Sequence, residues 1–166
     1  MEIKKALDLQ ASDFMAFITR IYRKHFVLVP VVTILLFTAG NFISNELTLQ
    51  SMIFPVILAA VLTLGLFLYL KGLSKKALAS FNKANGTVTV TVDEEGVHTT
   101  GKLGETALAW GDMFKLIETK NAFLFFIHKT NAVMLPKRQL SADELATVKM
   151  LIRKELKPDK MQLMSK

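Results

Sequence analysis

The chain has no cysteine among its 166 residues, which excludes disulfide scaffolds, thiolate metal sites and cysteine nucleophiles together. Its three histidines, His25, His98 and His128, are scattered without HxxxH spacing or clustered carboxylates, so no metal site is expected. No G-x-S-x-G, H-E-x-x-H or Ser-x-x-Lys element occurs in the context its chemistry needs. Gly96, Gly101 and Gly104 read as turn glycines, not as a phosphate-cradling loop that opens a helix. Asp93-Glu94-Glu95 places adjacent acids at a hairpin tip, where they are solvated and not a catalytic pair. These absences predict a non-enzymatic protein with no cofactor and no small-molecule substrate.

What is present in excess is apolar sequence. Residues 26–70 form one hydrophobic run of 45 residues, broken only by Ser44-Asn45-Glu46, and this reads as a hairpin of two membrane spans. The spans run from about 26 to 43 and from about 52 to 70, close to the ~20 residues that cross hydrocarbon. Neither holds an Asp, Glu, Lys, Arg or His, which argues against a pump, carrier or channel. About 25 residues precede the run and no small-x-small cleavage pattern ends its first half, so a secretory signal peptide is not expected. Pro30 and Pro55 are placed in the first turns of their spans, where a missing N–H costs least.

The net charge of +7 follows the hairpin. Residues 1–25 carry five Lys or Arg against three acids and residues 71–166 carry sixteen against ten, whereas the connecting loop has no Lys or Arg and one acid, Glu46. By the positive-inside rule both termini are expected to be cytoplasmic and the Asn45-Glu46 loop to face out, which gives a multi-pass protein of the cytoplasmic membrane. Arg20, Arg23 and Lys24 on one flank, and Lys71, Lys75 and Lys76 on the other, are the expected contacts with anionic inner-leaflet lipid. Nucleic acid is a poor fit, because the basic residues follow the membrane without basic-aromatic interleaving.

Within residues 1–25 an amphipathic lead-in helix is expected. Phe14, Phe17, Ile18 and Ile21 share a face, with Ser12 or Asp13 as N-cap. Two readings of that stripe stand: a helix lying at headgroup level before it turns into the first span, or a face packed on the soluble domain. Residues 71–84 continue the second span as a basic juxtamembrane stalk that Asn85-Gly86 stops. From Thr87 the period changes to two. Thr87-Val88-Thr89-Val90-Thr91-Val92 alternates strictly, and further short strands over 97–100, 105–110, 113–118, 122–128 and 132–135 predict an antiparallel meander. Residues 122–127 are apolar on both faces and must be central or covered. Ser141 and Glu144 have capping-box spacing and Leu140 with Leu145 staple spacing, so a final helix begins there, with Val148, Leu151, Ile152 and Leu156 on its stripe. Residues 158–166 are expected to fray.

The chain resembles the YcxB-like family of small bacterial membrane proteins. The resemblance rests on Asp13-Phe14 and Phe17, the two spans, Val92-Asp93-Glu94-Glu95-Gly96-Val97, Trp110-Gly111-Asp112-Met113, Ile117-Glu118 and Leu135-Pro136-Lys137-Arg138-Gln139-Leu140. It implies a pleckstrin-homology-like (PH-like) domain over residues 85–157, a bent antiparallel sheet capped by a C-terminal helix. The fold class expected is therefore a membrane α-helical hairpin plus a small α+β, mainly β, domain. Trp110 reads either as an anchor for a ligand or interface or as a core residue; Lys137 and Arg138 either hold an anionic headgroup or flank the last helix as solvated charge. The leading functional expectation is a membrane-anchored interaction module that binds a protein segment or lipid, with a protein partner or a second copy of the chain as further partners. The alternative is a bacteriocin-immunity or envelope-stress protein acting through its hairpin.

Overall fold

The computed structural model describes residues 2–44 and 48–163. The order is β1 (Ile3–Ala6), α1 (Ala11–Ile43), α2 (Leu49–Asn85), β2 (Thr89–Val92), β3 (Gly96–Gly101), β4 (Gly104–Ala109), β5 (Lys115–Glu118), β6 (Ala122–His128), β7 (Asn131–Pro136), α3 (Ala142–Glu155) and β8 (Met161–Gln162). Two long apolar helices thus precede a sheet domain that ends in a helix, which is a helical hairpin joined to an α+β domain. The Asn45-Glu46 loop lies outside the described residues.

The strands form two four-stranded sheets, in the orders β1-β2-β3-β4 and β7-β6-β5-β8. The single bent sheet expected from the sequence is therefore two. Between them lies the main core. Val90, Val92, Val97 and Leu108 of the first sheet meet Leu116, Phe123, Phe125 and Leu135 of the second, and Val148, Leu151, Ile152 and Leu156 close the open side. Full burial of one such side chain contributes about 1.5–3 kcal/mol. The alternation of β2 is realised as a buried valine face and a half-buried threonine face. α3 starts as its spacing predicts: the Ser141 hydroxyl accepts from the Glu144 N–H at 3.2 Å, and the Glu144 carboxylate accepts from the Ser141 N–H at 2.8 Å. Lys5 of β1 pairs with that carboxylate at 2.8 Å and, ahead of the Ser141 contact, holds it below the usual carboxylate range.

β6 is covered on both faces. Phe123 and Phe125 enter the core between the sheets, whereas Leu124 and Phe126 enter a second cluster with Ile117 and Met134. The cover of this second face comes from the ends of α1 and α2 outside the apolar run. Phe14 and Phe17 of α1 and Ala77, Leu78 and Phe81 of α2 pack there, with Phe14 set edge-on to Phe81 at 5.8 Å and Phe17 against Phe126 at 5.9 Å. The lead-in stripe is packed on the sheet domain, one of its two expected readings: Phe14 and Ile18 are buried.

Other expectations are corrected. Residues 3–6 are not helical. They pair antiparallel with the outer edge of β2, Ile3 opposite Val92 and Ala6 opposite Thr89, since an edge strand with a free hydrogen-bonding row captures an extended neighbour. The first helix begins at Ala11 behind Gln10, not behind Ser12 or Asp13; Asp13 instead accepts from the Gln10 N–H at 2.8 Å. α1 runs without a turn from the docked segment into the apolar run, so Pro30 lies well inside the helix and not in its first turn. The stalk continues α2 as expected, stopping at Gly86 with φ of 61°, and it is packed against the rest of the chain, with Ser74 1 % exposed. Residues 158–162 are ordered into elements and not frayed, while residues 164–166 lie outside the described residues. A 3-10 turn leads into β8, which pairs parallel with β5, Leu116 opposite Met161, because α3 supplies the long crossover a parallel neighbour requires.

At one turn glycine the sheet allows no side chain. A Cβ on Gly96 would sit 2.1 Å from the Leu108 carbonyl oxygen and 2.9 Å from the Ala109 Cα, both backbone atoms of the paired strand. Gly96→Ala is expected to cost about 1–3 kcal/mol through forced strand displacement. Thermal unfolding followed by emission of the single tryptophan, Trp110, reads this; an unchanged midpoint would show that β3 and β4 are not this close.

Candidate functional site

Strand edges are where such a domain remains open. β7 is the terminal strand of its sheet, so among the described residues one row of its backbone N–H and C=O groups has no strand partner. Along its first half this edge faces a cleft of about 250 Å³. Ala132, Val133 and Met134 line one wall, and Thr99, Leu103 and Thr106 of the β3–β4 hairpin line the other. Leu7, Leu9 and Phe81 close it from the N-terminal segment and from α2. The residues of this lining include no ionisable side chain, so the cleft suits an extended segment with apolar side chains and offers no acid-base chemistry. Asn85 and Asn131 add polar groups. Among the described residues no cluster of His, Cys, Asp and Glu could hold a metal ion.

The cleft was not legible in the sequence. It needs Leu7 and Leu9, which reach it only because β1 pairs with β2 and the Leu7 N–H donates to the Val88 carbonyl at 2.7 Å.

The structure scatters the residues singled out from the sequence. Trp110 is a core residue, 5 % exposed: its Nε1–H donates to the Asp93 carbonyl at 3.0 Å and its ring stands edge-on to Phe125 at 6.3 Å. Lys137 is turned inward. Its Nζ meets the buried Glu118 carboxylate at 2.6 Å, donates to the Thr119 carbonyl at 2.7 Å and lies 5.1 Å from the Phe123 ring centre. Lys149 reaches the same carboxylate from α3 at 2.8 Å, so Glu118 ties β5 to both the end of β7 and the last helix.

Arg138 is the bolt between the two ends of the chain. Its Nη1 donates to both oxygens of Asp13, at 2.8 and 2.9 Å, and its Nη2 to the Asp8 carbonyl. Asp13 is 2 % exposed, and its hydrogen bond keeps the guanidinium charged well beyond the ordinary arginine range. Gln139 adds a hydrogen bond to the Ala6 carbonyl at 3.0 Å. The Asp13-Phe14 and Pro136-Lys137-Arg138 segments, far apart in sequence, therefore meet as one docking joint.

Arg23, Lys24, Lys71, Lys75 and Lys76 are exposed along the two helices. Arg20 donates to the Gln162 side chain and lines a hollow of about 240 Å³ with Phe114, Lys115 and Lys129.

α1 and α2 are each long and apolar enough to cross a membrane. No curated protein and no solved structure matches the chain. Residues 92–152 match the family described as YcxB-like protein, from the end of β2 through most of α3 and including Trp110, Glu118, Lys137 and Arg138. Over these residues the chain is similar to the YcxB-like family.

Proposed function

We propose that the chain is a non-enzymatic, membrane-anchored interaction module whose β7-edge cleft accepts an extended segment of a partner protein. The hairpin crosses the cytoplasmic membrane with both termini inside, as the distribution of Lys and Arg around the spans favours. The sheet domain, PH-like in its two sheets closed by a C-terminal helix, is held at the inner leaflet. Residues 11–25 of α1 alone extend about 20 Å beyond the apolar run, and they are docked on the domain, so its distance from the bilayer is set by a rigid helix.

The observation that carries this reading is the open cleft beside an unpaired strand edge. A peptide strand added there gains main-chain hydrogen bonds along β7, while alternate side chains enter the apolar lining. The full chain in lipid nanodiscs, panned against a random-peptide display library, is expected to select extended sequences with alternating apolar residues. Thr106→Trp, on the exposed wall of the cleft, is expected to weaken the selected peptide at least about tenfold, equivalent to ~1.4 kcal/mol. Methylating the peptide's backbone nitrogens is expected to weaken it similarly. Equal affinity for the methylated and plain peptides would rule out strand addition, and failure to select any sequence would remove the basis of the proposal.

A further inference from the structure

Inside the apolar run the two helices leave a groove of about 700 Å³ between them. Phe26, Pro30 and Ile34 of α1 face Ala60, Thr63 and Phe67 of α2 across it. The polar atom of Thr63 is already used, since its hydroxyl donates to the Ala59 carbonyl at 2.7 Å. The groove therefore presents a hydrocarbon surface. On α1 its residues recur every four positions, over about 12 Å of helix, which is a row suited to a chain laid along the helix axis.

Two cations stand at the end of this groove nearest the sheet domain. Arg23 precedes Phe26 by three residues and Lys71 follows Phe67 by four, spacings that keep each on the groove side of its helix. Both are exposed, and among the described residues neither forms an ion pair. We infer that the groove is a binding site for an anionic phospholipid, with an acyl chain between α1 and α2 and the headgroup phosphate between Arg23 and Lys71. Two cations flanking an apolar slot complement that amphiphile. A second copy of this chain docked groove to groove would instead bring two more cations to the same place, a like-charge arrangement that disfavours it. The inference rests on the reading that the hairpin crosses the membrane with these ends cytoplasmic.

The test uses the full chain in vesicles carrying spin-labelled phosphatidylglycerol or phosphatidylcholine, with the motionally restricted lipid read by electron paramagnetic resonance. The unaltered chain is expected to restrict phosphatidylglycerol preferentially. The double variant Arg23→Gln with Lys71→Gln is expected to lose roughly fivefold of that preference for each cation removed. Lys24→Gln with Lys76→Gln makes the same charge change on the sides of the helices turned away from Phe26 and Phe67, and it is expected to keep the preference. Ala60→Phe, which fills the groove, is expected to abolish restriction of phosphatidylglycerol while leaving the Trp110-detected unfolding of the sheet domain unchanged. Equal losses in the two double variants would mean diffuse attraction and would overturn the site, as would no loss in the first. Ready disulfide dimerisation of Ala60→Cys, with no lipid preference, would assign the groove to a second copy of the chain. Vesicle flotation separates the premises: a chain that fails to float overturns the membrane reading itself, whereas one that floats without lipid preference overturns only the groove site.

Discussion

Arg138→Ala is expected to lower the stability of the full chain by about 3 kcal/mol. Asp13 is almost wholly buried and accepts two contacts from Arg138 and one from the Gln10 backbone N–H. Removal of the guanidinium leaves that carboxylate buried with a single donor. Breaking a buried pair from one side costs about 3–5 kcal/mol, and the lower end applies because the Arg138 side chain is itself 33 % exposed. Adding Asp13→Asn to Arg138→Ala removes the stranded charge and is expected to restore a large part of the loss, so the two substitutions are strongly non-additive. Denaturant unfolding in detergent, monitored by Trp110, measures the whole effect, and amide exchange over residues 11–18 reports the release of α1 from the sheet. A loss below about 1 kcal/mol, typical of a surface pair, would show that this joint does not hold the helix.

A fragment beginning at Asn85 is expected to lose cooperative folding altogether, although it holds every residue of the family match. It lacks β1, which leaves the outer edge of β2 unpaired and withdraws Ile3 from the core. It also lacks Phe14, Phe17 and Phe81, and so bares Ile117, Leu124, Phe126 and Met134 on the second face of β5–β7. Several apolar side chains at about 1.5–3 kcal/mol each match the entire 5–15 kcal/mol by which a domain of this size is stable. A soluble chain made of residues 2–25 linked to residues 71–163 restores both covers and is expected to fold. Near-ultraviolet circular dichroism and the emission maximum of Trp110 distinguish the two. Cooperative unfolding of the shorter fragment, with a buried Trp110, would show that the helices merely lean on a self-sufficient domain. The folding unit therefore begins at Ile3, well before the family match at Val92.

The joint also accounts for two cations that looked free in the sequence. Lys137 and Arg138 follow a proline and precede a helix, a context in which exposed charge is ordinary. Their roles depend on Glu118 and Asp13, which come from β5 and α1. No periodicity marks an acid whose partner arrives from another element. The same holds for the candidate cleft, since Ala132–Met134 read as a plain strand until Leu7 and Phe81 are brought beside them.

By itself the sequence determined the features that depend on neighbours within a turn or a strand. The two apolar helices, the buried valine face of β2, the two-faced burial of β6, the helix stop at Gly86 and the capping box at Ser141 all follow from spacing of two, three or four residues. Local hydrogen bonding and the burial of one face act over that range, so the pattern is written in consecutive residues. Only the tertiary structure decided that Ile3–Ala6 is a strand, that the lead-in and stalk are docked helices, that the strands divide into two sheets and that Met161–Gln162 joins the second. Each of these depends on an edge or a face supplied from far along the chain. A short segment of weak intrinsic preference takes the conformation of whatever unpaired row or apolar surface it meets, and that meeting exists only in the folded chain.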